Sequence, residues 1–241
     1  MNWLVGVGLS VALAVSILYF TDIWRYAKTI YLIQQVEPYE QAGSGAGSIL
    51  VIGDSTGYGT GASLSADSVA GRMGQDFPAY QIINNSVNGR KIAGAQEVAD
   101  KLDTEYHLIV LQIGANDLLA ERPVSEVVTD MQTLVDTVTD HAPQVVILTA
   151  GNIAGVPIFS GREAEYYETV SREYDSLMRL EYDSVENVTF ISLFDEPADD
   201  PFVAEPHVYT ALDGLHPSTA GYGVWYEKAA PTLKRRLTVD D

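Results

Sequence analysis

Four polar residues have the types and spacing needed for nucleophilic catalysis. Ser55 and Asn116 each come just after a short apolar run, and Asp213 stands three residues before His216. A serine hydroxyl needs a general base to take its proton, and an imidazole base needs a carboxylate to fix its tautomer. A side-chain amide can donate to the oxyanion that forms on attack. The pattern therefore predicts a serine hydrolase.

Each of these residues also has a purely structural interpretation. Ser55 could cap a helix and Asn116 could form an Asx turn. Three other aspartates compete with Asp213 for the role of the acid: Asp195, Asp199 and Asp200. We favour Asp213 because, of the four, it alone stands three residues before a histidine. Two further aspartates beside the motifs are interpreted as structural, namely Asp54 and Asp117.

Short apolar runs alternate with amphipathic segments along most of the chain. The runs predict five buried parallel strands, at 48–53, 80–85, 107–113, 144–150 and 188–194. The amphipathic segments predict five helices, at 64–76, 91–103, 124–140, 161–183 and 218–237. This alternation predicts an α/β fold with helices on both faces of one parallel sheet. Ligands bind at the carboxyl ends of the strands in such sheets, where Ser55 and Asn116 fall.

The composition narrows the possible partners. The chain has 33 acidic and 14 basic residues and a formal net charge of −19. This charge argues against nucleic acid as a partner and against binding to anionic lipid by charge, since both need basic patches. The chain has no cysteine, which excludes disulfides, a thiolate nucleophile and a cysteine-containing zinc site.

The N-terminal segment is predicted to bind the membrane. Residues 3–20 are uncharged and mostly apolar, and as a helix they would span roughly 27 Å. A cleaved signal peptide is the competing interpretation. We favour an uncleaved transmembrane anchor at 1–20, because the small-residue triplet at 12–14 lies inside the apolar run. Arg25 and Lys28 follow the span. Two basic residues do not decide on which side of the membrane the catalytic domain lies.

The next segment is interpreted as a spacer. Residues 21–40 are predicted to continue as a helical stalk, and 41–47 are predicted to be a flexible Gly/Ser linker. The catalytic domain then spans 48–241, and we expect it to fold without residues 1–40.

Four sequence blocks in order resemble those of the SGNH (GDSL-type) hydrolases. They lie at 53–55, 84–89, 114–117 and 213–217. The resemblance extends from Ser48 to about Leu237 and is closest to the bacterial thioesterase and lysophospholipase-like branch. It implies a flavodoxin-like three-layer αβα sandwich with a five-stranded parallel sheet, and chemistry that needs no metal or cofactor. One departure is Ser86, which stands where many members carry glycine.

The resemblance also implies a role for each site residue. Ser55 is the nucleophile, His216 the general base, and Asp213 the carboxylate that orients it. The oxyanion hole is formed by the backbone N–H groups of Ser55 and Gly89 and by the side chain of Asn116. The expected activity is hydrolysis of carboxylic esters or thioesters.

Substrate choice stays open at this level. The loop at 151–159 follows the fourth strand, and Ile153, Val156 and Ile158 could line a substrate pocket or pack beneath the next helix. The expected substrate is a small-molecule, lipid or acylated-glycan ester. The alternatives are a deacetylase or acyltransferase acting on cell-surface glycans, and a catalytically silent binding module on the same fold.

Overall fold

A single parallel sheet forms the centre of the molecule in the computed structural model, which describes residues 23–237. Its strands are β1 (Gly47–Gly53), β2 (Tyr80–Ser86), β3 (Leu108–Gln112), β4 (Val145–Leu148) and β5 (Val188–Ile191). The strand order is β2-β1-β3-β4-β5, and every neighbouring pair is parallel. This is the flavodoxin-like order. The predicted five-stranded parallel sheet is confirmed.

Helices connect the strands and cover both faces of the sheet. Residues 23–33 are helical (α1), and the later helices are α2 (Ser55–Tyr58), α3 (Val69–Asp76), α4 (Ile92–Ala99), α5 (Ala115–Leu119), α6 (Val124–Thr139), α7 (Arg162–Tyr182), α8 (Pro201–Ala204), α9 (Pro206–Tyr209) and α10 (Thr219–Leu237). Two 3₁₀ turns lie at Ser65–Asp67 and Ile153–Gly155. All five predicted helical segments contain a helix.

Alternation along the strands divides the core into two layers. In β1, Leu50 and Ile52 belong to the cluster formed with α4, α6 and α7, whereas Ile49 and Val51 belong to the cluster formed with α3 and α10. Successive side chains of a strand point to opposite faces of the sheet. A central strand that is apolar throughout therefore contributes side chains to the core on both faces. The result is a three-layer αβα sandwich that holds the carboxyl ends of β1 and β3 side by side.

The segment before β1 is part of this domain. In it, Leu32 and Val36 are buried, with 6% and 5% of their surface exposed. Gln41 pairs antiparallel with Ile82, and the segment after it donates two further backbone hydrogen bonds to Ala79. β2 is an edge strand, and edge strands offer unpaired backbone groups. The interpretation of 41–47 as a flexible linker is therefore wrong: the segment is docked beside β2.

The membrane prediction has a different outcome. The predicted anchor at 1–20 lies outside the described residues. Among residues 23–237, no helix is both long enough and apolar enough to cross a membrane.

The docking of the N-terminal segment predicts a measurable loss of stability. We expect Leu32→Ala to lower the free energy of unfolding by about 2–5 kcal/mol, because it removes a buried side chain and leaves a cavity. Leu180→Ala is the matched control, since Leu180 is 78% exposed, and it should change stability by less than about 0.5 kcal/mol. Denaturant unfolding of the two full-length variants measures both effects. Equally small losses would restore the interpretation of this segment as a spacer.

Candidate active site

The end of β1 presents Ser55 at the start of a short helix. Asp54 precedes it and accepts hydrogen bonds from the backbone N–H and the side-chain hydroxyl of Thr56, both at 2.8 Å. Asp54 is thus the N-cap of α2, which agrees with its structural interpretation. The cap holds the first turn of α2 in place, and this turn carries Ser55.

Close packing fixes the turn between β1 and α2. A Cβ atom on Gly53 would lie 2.6 Å from Ser86 Oγ and 2.8 Å from the Gln112 carbonyl oxygen. A Cβ atom on Gly57, the third residue of α2, would also lie 2.6 Å from Ser86 Oγ. Real Cβ atoms essentially never come this close to other atoms, so position 53, which faces a backbone oxygen, requires glycine, and a side chain at position 57 would displace the Ser86 hydroxyl. These two glycines also explain the departure at position 86, because they leave room for the serine side chain.

His216 links Ser55 to Asp213. Its Nε2 lies 3.0 Å from Ser55 Oγ, and its Nδ1 lies 2.6 Å from Asp213 Oδ2. Ser55 and His216 are 161 residues apart in the chain. With the proton on Nδ1 donated to Asp213, Nε2 is free to accept the Ser55 hydroxyl proton. The structure thus brings these three predicted residues together in the geometry of a nucleophile, a base and an orienting acid.

The carboxylate of Asp213 is held in its charged form. Burial by itself would raise its pKa. Hydrogen bonds from the His216 ring and from the backbone N–H groups of Leu215 and His216 outweigh burial and hold the pKa of Asp213 below its usual range.

Of the competing aspartates, Asp195 contacts Lys228 Nζ at 2.6 Å, and Asp200 accepts from the N–H of Phe202 at 2.8 Å.

Of the predicted oxyanion donors, Asn116 lies in the first turn of α5 and Gly89 lies in the loop after β2. Asn116 Nδ2 donates to the carbonyl oxygen of Arg90 at 3.1 Å, which uses one of its two N–H groups and leaves the other for a ligand. Gly89 immediately precedes Arg90 and has a positive φ of 76°. A Cβ atom there would meet no described atom within 4 Å, so backbone conformation, not crowding, favours glycine. Asn88 accepts from Thr60 Oγ1 at 2.6 Å, which ties this loop to the one after α2.

An apolar cavity of about 90 Å³ opens beside Ser55 and His216, and Asn116 forms part of its wall. Of the three predicted substrate-binding residues, Ile153 and Val156 line it. Ile158 does not. Its N–H donates to the carbonyl oxygen of Gly214 at 3.0 Å, and it lines a separate depression on the outer side of Asp213. The structure therefore places Ile158 outside the cavity that contains Ser55, and its contact with a substrate stays a prediction.

The rest of the cavity wall was missed by sequence reasoning. It includes apolar residues from four other parts of the chain: Leu119, Leu193, Phe202 and Trp225. The Trp225 ring lies 5.9 Å from the Phe202 ring, measured between centroids. Trp225 lies in α10, and helical spacing alone does not distinguish a core position from a cavity wall. Among residues 23–237, no cluster of three or more histidine, aspartate or glutamate residues could hold a metal ion.

Comparisons with known proteins agree with this geometry. A model described as the GDSL-like lipase/acylhydrolase family matches residues 51–224. A lipolytic protein of the G-D-S-L family from Veillonella parvula DSM 2008 has a TM-score of 0.60 at 19% identity, covering 78% of this chain and 98% of its own. The acetylxylan esterase Axe2 from Geobacillus stearothermophilus has a TM-score of 0.51 at 17% identity, covering 83% and 97%. Esterase EstA from Pseudoalteromonas sp. has a TM-score of 0.51 at 19% identity, covering 79% and 98%. At these identities the likeness to the three structures shows a shared fold, and no curated protein matches the sequence.

A buried carboxylate in the cavity wall predicts a pH-dependent stability. Burial raises the pKa of Asp200 from 3.8 to about 6. The unfolded chain ionises this group at lower pH than the folded chain does, so Asp200 reduces stability as pH rises through this window. Asp200→Asn keeps an oxygen that can accept from the Phe202 N–H and removes the charge. We therefore expect its melting temperature to exceed that of the wild type at about pH 7.5, by a margin that shrinks as pH falls through 6 and vanishes only below the unfolded value of 3.8.

Asp199→Asn is the matched control for this experiment. Asp199 is the exposed neighbour of Asp200, and the same substitution there should leave the pH dependence of the melting temperature unchanged. A constant offset between Asp200→Asn and the wild type at all pH values would mean that folding does not raise the pKa of Asp200.

Proposed function

Because the chain belongs to the GDSL-like lipase/acylhydrolase family, we propose that it hydrolyses carboxylic esters or thioesters through an acyl-enzyme on Ser55. The observation that carries this proposal is the hydrogen-bonded line from Ser55 Oγ through His216 to Asp213, at 3.0 and 2.6 Å. The line ends in an apolar cavity that also exposes the Asn116 amide.

Acylation begins with proton transfer from Ser55 Oγ to His216 Nε2 as the oxygen attacks the carbonyl carbon. The electron pair of the carbonyl bond moves to its oxygen, and the Ser55 and Gly89 N–H groups and the Asn116 amide stabilise that oxyanion. Asp213 stabilises the imidazolium formed on His216. When the oxyanion collapses, the bond to the alcohol or thiol breaks, and the leaving group takes the proton from Nε2.

Deacylation repeats these steps with water. Neutral His216 takes a proton from water, the resulting nucleophile attacks the acyl carbon, and Ser55 Oγ leaves with that proton. A sugar hydroxyl in place of water would make the same site an acyltransferase. Only the neutral form of the His216 imidazole can serve as the base in both steps.

The size of the cavity favours substrates with a short acyl group. Its volume of about 90 Å³ is well below the roughly 300–1,000 Å³ of sites that hold drug-sized ligands, and its walls are mainly apolar. Rates with p-nitrophenyl esters from acetate to decanoate test this proposal, and we expect the rate to fall steeply beyond a few carbons. Acetylated sugars belong in the same series, because release of acetate from them would identify a glycan deacetylase. A maximum at decanoate would contradict the short-chain proposal.

Membrane attachment is a separate part of the proposal. Residues 3–20 are long and apolar enough in sequence to span a bilayer, which supports an anchor at 1–20. Fractionation of cells that express the full-length chain tests it. An anchored protein stays in the membrane pellet after an alkaline carbonate wash, whereas recovery of a mature chain without these residues would identify a cleaved signal peptide.

The nucleophile is tested by Ser55→Ala. We expect hydrolysis to be abolished while the melting temperature stays nearly unchanged, because a half-buried hydroxyl is removed and no packing is lost. Ser63→Ala, at an exposed serine eight residues along, should retain full activity. A fluorophosphonate probe should label the wild type and Ser63→Ala but not Ser55→Ala. Wild-type turnover by purified Ser55→Ala would overturn the proposed function.

The oxyanion hole is tested by Asn116→Ala. We expect kcat to fall by about 10²–10³-fold with little change in KM, because the lost donor acts mainly in the transition state. Asn152→Ala makes the same change at another asparagine of the cavity wall and should lower kcat far less. Steady-state kinetics on one p-nitrophenyl ester measure both variants. A rise in KM at constant kcat would show that Asn116 binds the substrate without stabilising the oxyanion.

A further inference from the structure

Helix α1 contacts the catalytic acid. The hydroxyl of Thr29 donates a hydrogen bond to Asp213 Oδ2 at 3.1 Å, across 184 residues of sequence. Thr29 lies outside the region that the family model matches, 51–224, so none of the family's blocks includes it.

The carboxylate of Asp213 accepts from two donors at each oxygen. Oδ1 accepts from the backbone N–H groups of Leu215 and His216, at 3.0 and 3.1 Å. Oδ2 accepts from His216 Nδ1 at 2.6 Å and from Thr29 Oγ1 at 3.1 Å. Three of these donors belong to the same turn as Asp213 and move with it. The Thr29 hydroxyl ties the carboxylate to a separate element of the fold.

Packing holds α1 where this contact is made. Thr29 and Leu32 are three residues apart in α1, which places them on the same side of this helix, and Val36 follows in the segment after it. Leu32 and Val36 are buried and Thr29 is half-buried, whereas Ile23, Trp24 and Tyr26 are exposed. The hydroxyl therefore approaches Asp213 on the docked side of the segment. Its other acceptor, the Arg25 carbonyl oxygen one turn earlier, is farther away at 3.3 Å.

We propose that Thr29 is a positioning residue for the catalytic acid, and that α1 thereby completes the active site from outside the four sequence blocks. The proposal rests on the proposed function, since it assigns Thr29 to the Ser55, His216 and Asp213 line. The hydroxyl fixes the rotation of the carboxylate. It also takes up part of the negative charge that would otherwise stabilise the His216 imidazolium.

Other ionisable groups face the same residues and stay in place when only the hydroxyl is removed. On the outer side of Asp213, the depression is lined by Arg25 and Lys28 of α1 and His207 of α9. On the inner side, Asp54 interacts electrostatically with His216, and Tyr222 of α10 with Asp213. The carboxyl of Asp200 lines the cavity beside His216. All of these groups are unchanged in Thr29→Val. A difference between its pH profile of kcat/KM and that of the wild type is therefore due to loss of the Thr29 hydroxyl.

Thr29→Val in the full-length chain is the test, because valine keeps the shape and loses the hydroxyl. We expect kcat for a p-nitrophenyl ester to fall by about 2–10-fold at constant KM, because the charged carboxylate loses one of its four hydrogen-bond donors. We also expect the acid limb of the kcat/KM profile to move to higher pH, because more of the Asp213 charge then stabilises the imidazolium. Thr29→Ser retains the hydroxyl and should restore both values toward the wild type.

Thr129→Val is the matched control. Thr129 is an exposed helical threonine of α6 whose hydroxyl bonds to the carbonyl oxygen one turn earlier, and its substitution should change neither kcat nor the acid limb. If Thr29→Val does not fold, Thr29→Ala takes its place. The low-field proton resonance of His216 Nδ1–H then gives a second measure, and it should differ from the wild type in any folded variant that lacks the hydroxyl.

Three results would overturn the proposal. They are an unchanged acid limb in Thr29→Val, equal impairment of Thr29→Ser and Thr29→Val, and an unchanged Nδ1 proton resonance. Any of them would mean that the hydroxyl serves α1 alone, through the Arg25 carbonyl. Ser55→Ala distinguishes this outcome from failure of the proposed function. If Ser55→Ala is inactive while Thr29→Val has wild-type kinetics, the proposed function stands and only the role of Thr29 is rejected.

Discussion

The hydrogen bond between Ser55 Oγ and His216 Nε2 is the constraint on which the rest of the structure depends. It joins the end of the first strand to the turn before the last helix, 161 residues away, and its geometry must hold within tenths of an ångström. Thr60 connects the elements that meet here. Its carbonyl oxygen accepts from Tyr222 of α10 at 2.8 Å, and its hydroxyl donates to Asn88 beside Gly89 at 2.6 Å. Thr60 thus connects three elements: the loop after α2, which follows Ser55; the loop that carries Gly89; and α10, which follows His216.

Much of this arrangement could be predicted from the sequence because it depends on local patterns. Apolar runs of four to seven residues locate all five strands, and periodic valines locate α6 to within one residue of its observed end, Thr139. In a parallel sheet, residues that follow neighbouring strands converge on one edge, so Ser55 and Asn116 could be placed together before their distance was known. Asp213 and His216 lie within one short segment, so their contact follows from spacing.

What could not be predicted depends on tertiary contacts without a local pattern. Glycine and serine at 41–47 are typical of a linker, yet the free edge of β2 pairs with the segment and orders it. Ile158 is apolar and close to Ile153 in sequence, but one backbone hydrogen bond to Gly214 directs it elsewhere. Thr29 carries no motif at all. Its significance comes from the docking of α1, which is set by two buried side chains far from any block in the sequence.

The number of hydrogen-bond donors decides which aspartate near His216 can serve as the acid. Asp54 and Asp200 are buried, and burial raises the pKa of each to about 6. Asp54 Oδ2 has no hydrogen-bond partner in the described part of the chain, whereas both oxygens of Asp213 have two donors. Asp213 is therefore the carboxylate near His216 that keeps its charge at a pH at which Asp54 and Asp200 take up a proton. Ionisation of Asp54 above about pH 6 adds a second negative charge that interacts with His216 and favours its imidazolium form.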